Sequence, residues 1–149
     1  MTTEWRIPAQ TPSAMSLLVA DNSGYAPATI LEADKPFDVT VNWNVPPVVA
    51  ALLTGSNSFR LRLYAESVGP GEEKQIGGTV FEPAVTNNLS YSKVISVPAG
   101  TLAGEGSVGG VNVSGIYRIA AVLQLMSGAT ATEHQGFADV EPRVFLTNP

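Results

Sequence analysis

A chain of 149 residues without cysteine is long enough for one domain that buries its core without disulfides. The missing thiols exclude thiolate nucleophiles, zinc–thiolate sites and iron–sulfur clusters. Thirteen acidic and eight basic side chains give a formal net charge of −5, and the absence of any Lys/Arg run argues against nucleic acid as the main partner.

The N-terminal stretch Met1-Thr2-Thr3-Glu4-Trp5-Arg6-Ile7-Pro8 has no basic region followed by a long apolar one, so it does not read as a secretion signal. No run approaches the roughly 18–20 apolar residues that cross a bilayer, and no membrane role is expected. The chain therefore reads as cytoplasmic, or as exported by a route that needs no N-terminal signal. Residues 1–14, with Pro8 and Pro12, read as an extended arm, and residues 15–149 as a single β-sandwich domain. Only 14% of residues are charged, against 14 glycines and 11 prolines. Few charges and many turn formers describe an all-β chain.

In chain order, Ser16–Val19 and Ala28–Leu31 suggest a first strand in two pieces. Phe37, Val39, Val41 and Trp43 alternate with Asp38, Thr40, Asn42 and Asn44, a period of two that marks a strand with one buried face. Pro47 and Gly55 bracket an apolar segment that they would start and end as a short helix. Phe59, Leu61, Leu63 and Ala65 point inward on the next strand. A Gly69–Glu73 turn leads to a strand over Lys74–Phe81, which Gly77-Gly78 weakens towards an edge or a bulge. Further strands run from Asn88 to Val97, from Ile116 to Met126 and from Phe137 to Leu146, the last interrupted by Pro142. About seven short strands and no extended helical period predict an antiparallel sandwich.

The stretch Ser114-Gly115-Ile116-Tyr117-Arg118-Ile119-Ala120-Ala121-Val122 resembles the penultimate strand of an immunoglobulin-like domain. The resemblance implies a disulfide-free, bacterial-style sandwich with Greek-key connections. It also implies that the Tyr117 hydroxyl bonds to backbone at the preceding corner, and that Ile119 fills the usual Cys position opposite Val41 or Val39. Such a fold does not specify a function.

Catalytic chemistry is sparse. Gly104-Glu105-Gly106-Ser107-Val108-Gly109 matches G-x-G-x-x-G, but no helix former follows, so a connection between sheets explains it better than a nucleotide site. His134 is the lone histidine and has no G-x-S-x-G nucleophile to serve; it reads as part of an exposed hairpin turn. The carboxylate pairs Asp34/Asp38, Glu72/Glu73 and Asp139/Glu141 read as solvated faces. Neither an enzyme nor a cofactor or metal site is expected.

Two surfaces remain. With Ile119, Ala121, Leu123 and Leu125 inward, Arg118, Ala120, Val122, Gln124 and Met126 point outward, and Arg60, Arg62 and Tyr64 join them from the neighbouring strand. Arg and Tyr are enriched at interface hot spots. Asp139 and Glu141 would flank this face from the last strand. The second surface, Val45–Gly55 with Val48, Val49, Leu52 and Leu53, reads either as a plug for the open end of the sandwich or as an apolar knob. The expectation is a non-catalytic interaction or assembly module that binds another protein or itself. Two rivals are a small-ligand or carbohydrate-binding sandwich stacking on Tyr25, Trp43, Tyr64 or Tyr91, and a structural component of a bacterial or phage-like particle.

Overall fold

The computed structural model describes residues 15–24, 26, 28–71, 73–108, 110–139 and 144–147, and in them the first strand is divided between two layers. β1 (Met15–Ala20) joins a three-stranded sheet, whereas β2 (Ile30–Glu32) lies in a larger one. β3 (Phe37–Asn44) is the centre of the smaller sheet, and its Phe37, Val39, Val41 and Trp43 are all buried. α1 (Pro47–Leu52) then carries the chain across to β4 (Asn57–Ser67) and β5 (Glu73–Pro83) of the larger sheet. β6 (Ser90–Val97) returns to the smaller sheet beside β3. A small hairpin of β7 (Gly106–Val108) and β8 (Val111–Val113) leads back to β9 (Ile116–Ser127), β10 (Thr130–Asp139) and β11 (Val144–Thr147).

The strand orders are β1-β3-β6 and β2-β11-β9-β4-β5, with β10 also paired to β9. The two sheets pack face to face as a β-sandwich over one shared core. Among the described residues the pairings are antiparallel except that of β2 with β11, which run parallel with Ile30 opposite Phe145. Among the described residues the expected seven or so strands become eleven, because the first and last each split in two and the glycine-rich stretch forms its own hairpin. That hairpin has no helix behind it, which removes the context a phosphate-binding loop requires.

Inward parity is kept along the central strands. Phe59, Leu61, Leu63 and Ala65 of β4 meet Ile119, Ala121, Leu123 and Leu125 of β9 in the core. Tyr117 is fully buried, and its hydroxyl donates to the Ala103 carbonyl at 2.8 Å, a bond of the kind that the resemblance of its strand implied. Ile119, Val39 and Val41 are buried alongside.

Two local features depart from their sequence signals. α1 starts with Pro47 in its first turn, as expected, but Leu53 ends it in extended geometry rather than Gly55 in a left-handed cap. Turning extended at that point seats the Leu53 side chain in the core. In β5, Leu61 faces Val80 while Leu63 faces Ile76, so two extra residues bulge opposite Arg62. Gly77 supplies the φ of +63° that this requires. β5 is also the edge of its sheet, so the Gly77-Gly78 signal reports both an edge and a bulge. Among the described residues, no helix is long and apolar enough to cross a membrane.

Candidate functional site: the arginine face of the larger sheet

The two outer faces of the sandwich differ in chemistry. On the smaller sheet, Asp38, Asn42 and Asn44 of β3 lie opposite Ser96, Ser92 and Ser90 of β6. Two of these pairs are bonded: Ser96 Oγ donates to Asp38 Oδ1 at 2.7 Å, and Ser90 Oγ to Asn44 Oδ1 at 3.1 Å. Between them runs an apolar rung, where Leu18 of β1 and Val94 of β6 flank Thr40 and are 41% and 53% exposed.

The larger sheet carries long cationic side chains instead. Outward positions on β4 and β9 form rungs of Arg60 with Gln124, Arg62 with Val122, Tyr64 with Ala120, and Glu66 with Arg118. Arg60, Arg62, Tyr64, Arg118 and Val122 are each partly buried, because the long stems lie along the sheet. Arg60 and Arg62 both donate from Nη2 to the single amide oxygen of Gln124, Arg62 at 3.0 Å. Their Nε atoms, and that of Arg118, are shielded from solvent and have no hydrogen-bond partner among the described residues. Among the described residues none of these three arginines pairs with a carboxylate, although Glu66 stands directly opposite Arg118.

Position on the fold explains the arrangement. β4 and β9 are the two central strands, so their outward side chains stand in the middle of the face. Phe81 of β5 lies beside Arg60 and is 51% exposed. The β5 bulge sets Gly77, Gly78 and Thr79 beside Arg62, leaving little side-chain cover on that flank. The sequence alone placed the arginines and Tyr64 outward. It did not show Gln124 as their shared acceptor, which depends on the β4–β9 register.

Met126 departs from the outward set. It is 3% exposed, yet it stands outside the main core cluster. It lies opposite Ala131, at the edge of a register shift between Ala131 and Gln135, where simple alternation ends. The side chains of Asp139 and Glu141 lie outside the described structure, as do Tyr25, Pro142 and residues 1–14. The backbone of His134 belongs to β10, and the hairpin turn falls earlier, at Gly128-Ala129.

The apolar segment after β3 is half buried and half exposed. Val49 and Leu53 are buried as a plug, while Val48 and Leu52 are 55% and 76% exposed. Together with Leu125, Asn57, Ser127 and Thr132 they line a recess of about 300 Å³ at this end of the sandwich. Its polar neighbours are already engaged: Asn57 Nδ2 donates to the Met126 carbonyl at 3.1 Å and Thr132 Oγ1 to the Leu125 carbonyl at 2.7 Å.

The stacking platforms of a sugar site are not displayed by the inner aromatics. Trp43 and Tyr91 stack on each other with ring centroids 5.4 Å apart, and Phe59 closes the cluster inside the core. Among the described residues no group of three or more His, Asp or Glu side chains is placed to hold a metal ion. The chain matches no protein-family model and no curated protein.

Proposed function

We propose that this chain is a non-catalytic, immunoglobulin-like module that binds another protein through the outer face of its larger sheet. The observation that carries the reading is the contrast between the two faces. One carries short Ser–Asp and Ser–Asn pairs around exposed Leu18 and Val94, while the other holds three arginines that have no carboxylate partner among the described residues, around a half-buried tyrosine and Val122. Interfaces draw on Arg and Tyr because each combines apolar area with directional donors. The immunoglobulin-like assignment is supported by the Tyr117 corner bond between two antiparallel sheets packed as a sandwich.

Photo-crosslinking in a lysate of the native host tests the reading. A photoreactive phenylalanine in place of Val122 is expected to give a discrete protein adduct that a second change, Arg62→Glu, abolishes. The same probe in place of Thr40, on the opposite face, is expected to give none. Equal adducts from both faces, or an adduct indifferent to Arg62→Glu, would defeat the proposal. Light scattering over a concentration series separates self from non-self: a dimer mass lost in Arg62→Glu makes the partner a second copy.

A further inference from the structure

We infer that the partner presents an extended acidic segment to this face, with two carboxylates at alternate positions and an apolar side chain at the next alternate one. The inference rests on the protein-binding reading above and adds the chemistry and spacing of what is bound.

Arg60 and Arg62 are two residues apart on β4, so their anchor points are separated by about 6.7 Å. In an extended peptide adjacent side chains point to opposite sides and alternate ones share a side, so only carboxylates at alternate positions can both reach the two guanidinium groups that Gln124 draws together. The two groups have only one neutral oxygen between them, on Gln124. Among the described residues their other Nη donors make no further hydrogen bond, while the shielded Nε atoms exclude side-on pairing. A carboxylate approaching end-on from solvent is the partner these donors lack. At Arg62 the surface changes, because Val122 stands opposite it and Ala120 beside Tyr64 follows one rung along, forming an apolar step. The cationic run stops at the next rung, where Glu66 stands opposite Arg118 and Glu73 opposite Glu66. Those carboxylates, and the net charge of −5, favour a short acidic peptide over a polynucleotide, whose phosphates would run on into them.

The test is an NMR titration of the protein with a seven-residue peptide carrying glutamate at positions two and four, valine at six and threonine elsewhere. A control peptide has the same composition with its glutamates adjacent, and a second control is a thymidine oligonucleotide. The patterned peptide is expected to perturb β4 and β9 amides and to bind about tenfold more tightly than the adjacent-glutamate control. Arg60→Gln and Arg62→Gln are each expected to weaken it by about tenfold, the effect of losing one charge-assisted bond. Lys35→Gln, the same change of charge on a distant exposed turn, is expected to leave binding within about twofold. Equal binding of the two peptides overturns the inferred spacing, and tighter binding of the oligonucleotide overturns the partner class. Absence of peptide binding, or binding insensitive to both arginine changes, overturns the inference as a whole. The Val122 crosslink then decides separately whether the face binds protein at all.

Discussion

Arg60 and Arg62 hold like charges against one amide oxygen, an arrangement that costs stability unless an anion joins it. Two unit charges about 5 Å apart repel by roughly 1 kcal/mol in a water-like medium, and Gln124 offers only a dipole in return. Arg62→Gln is therefore expected to leave the unfolding free energy unchanged or to raise it by up to about 1 kcal/mol, as measured by urea denaturation at low salt. Half-molar salt should narrow the difference between variant and parent, because it screens the repulsion being relieved. A loss of more than about 1 kcal/mol would show instead that the arginines serve the fold. Tyr117 is the opposite case, since its hydroxyl closes a corner from a fully buried position. Tyr117→Phe should cost about 1–2 kcal/mol, the usual consequence of leaving one buried carbonyl without its donor. The residue-level signals also differed in legibility. Tyr117 could be assigned because the resemblance of Ser114–Val122 to the penultimate strand of an immunoglobulin-like domain implies its bond. The bridging role of Gln124 could not, because it exists only when Arg60 is set opposite Gln124 across 64 positions of chain.

At the scale of elements, adjacent glycines in the β5 bulge make a paired test. Gly77 has φ near +63°, and a Cβ there would fall 2.9 Å from Ile95 Cγ2, the stiff branch of a buried side chain. Gly77→Ala should therefore cost about 1–3 kcal/mol, combining backbone strain with the displacement of Ile95. Gly78 has open space around its would-be Cβ and no left-handed φ. Gly78→Ala should be neutral or stabilise by up to about 1 kcal/mol, through the lost freedom of the unfolded chain. Matched thermal melts of the two variants read the difference directly, and similar melting temperatures would show that the bulge geometry is not what Gly77 maintains. Parity alone gave the inward faces of β3, β4 and β9, because each strand has one face in the core over nearly its whole length. It failed at Met126, where the partner strand shifts register, and at the end of α1, where burying Leu53 overrode the glycine two residues later. The division of the first strand between two sheets was also hidden, since pairing with distant strands is not a local property of Ile30–Glu32.

The whole molecule must expose strand edges without polymerising through them, and one charged residue addresses this. β6 is the free edge of the smaller sheet, and β5 is the facing edge of the larger one. Lys93 occupies an inward-parity position on β6 between buried Tyr91 and Ile95, where the pattern alone would favour an apolar residue. Its Nζ reaches Glu82 Oε2 on β5 at 3.2 Å, across the gap between the sheets. Both side chains are about a third exposed, so the pair contributes under about 1 kcal/mol to stability. Its larger consequence is negative. A charge on an edge strand penalises the pairing of that edge with another chain, and it matters here because Leu89 and Val94 on the same segment are 45% and 53% exposed. Lys93→Val should consequently keep the unfolding free energy within about 1 kcal/mol of the parent while increasing concentration-dependent scattering on prolonged incubation. Lys93→Arg, which keeps the charge, should remain as free of aggregates as the parent. If Lys93→Val instead lost several kcal/mol and stayed monodisperse, the ion pair would be holding the two sheets together rather than guarding their edge. Such edge-driven association would also be insensitive to Arg62→Glu, which separates it from any specific assembly through the arginine face.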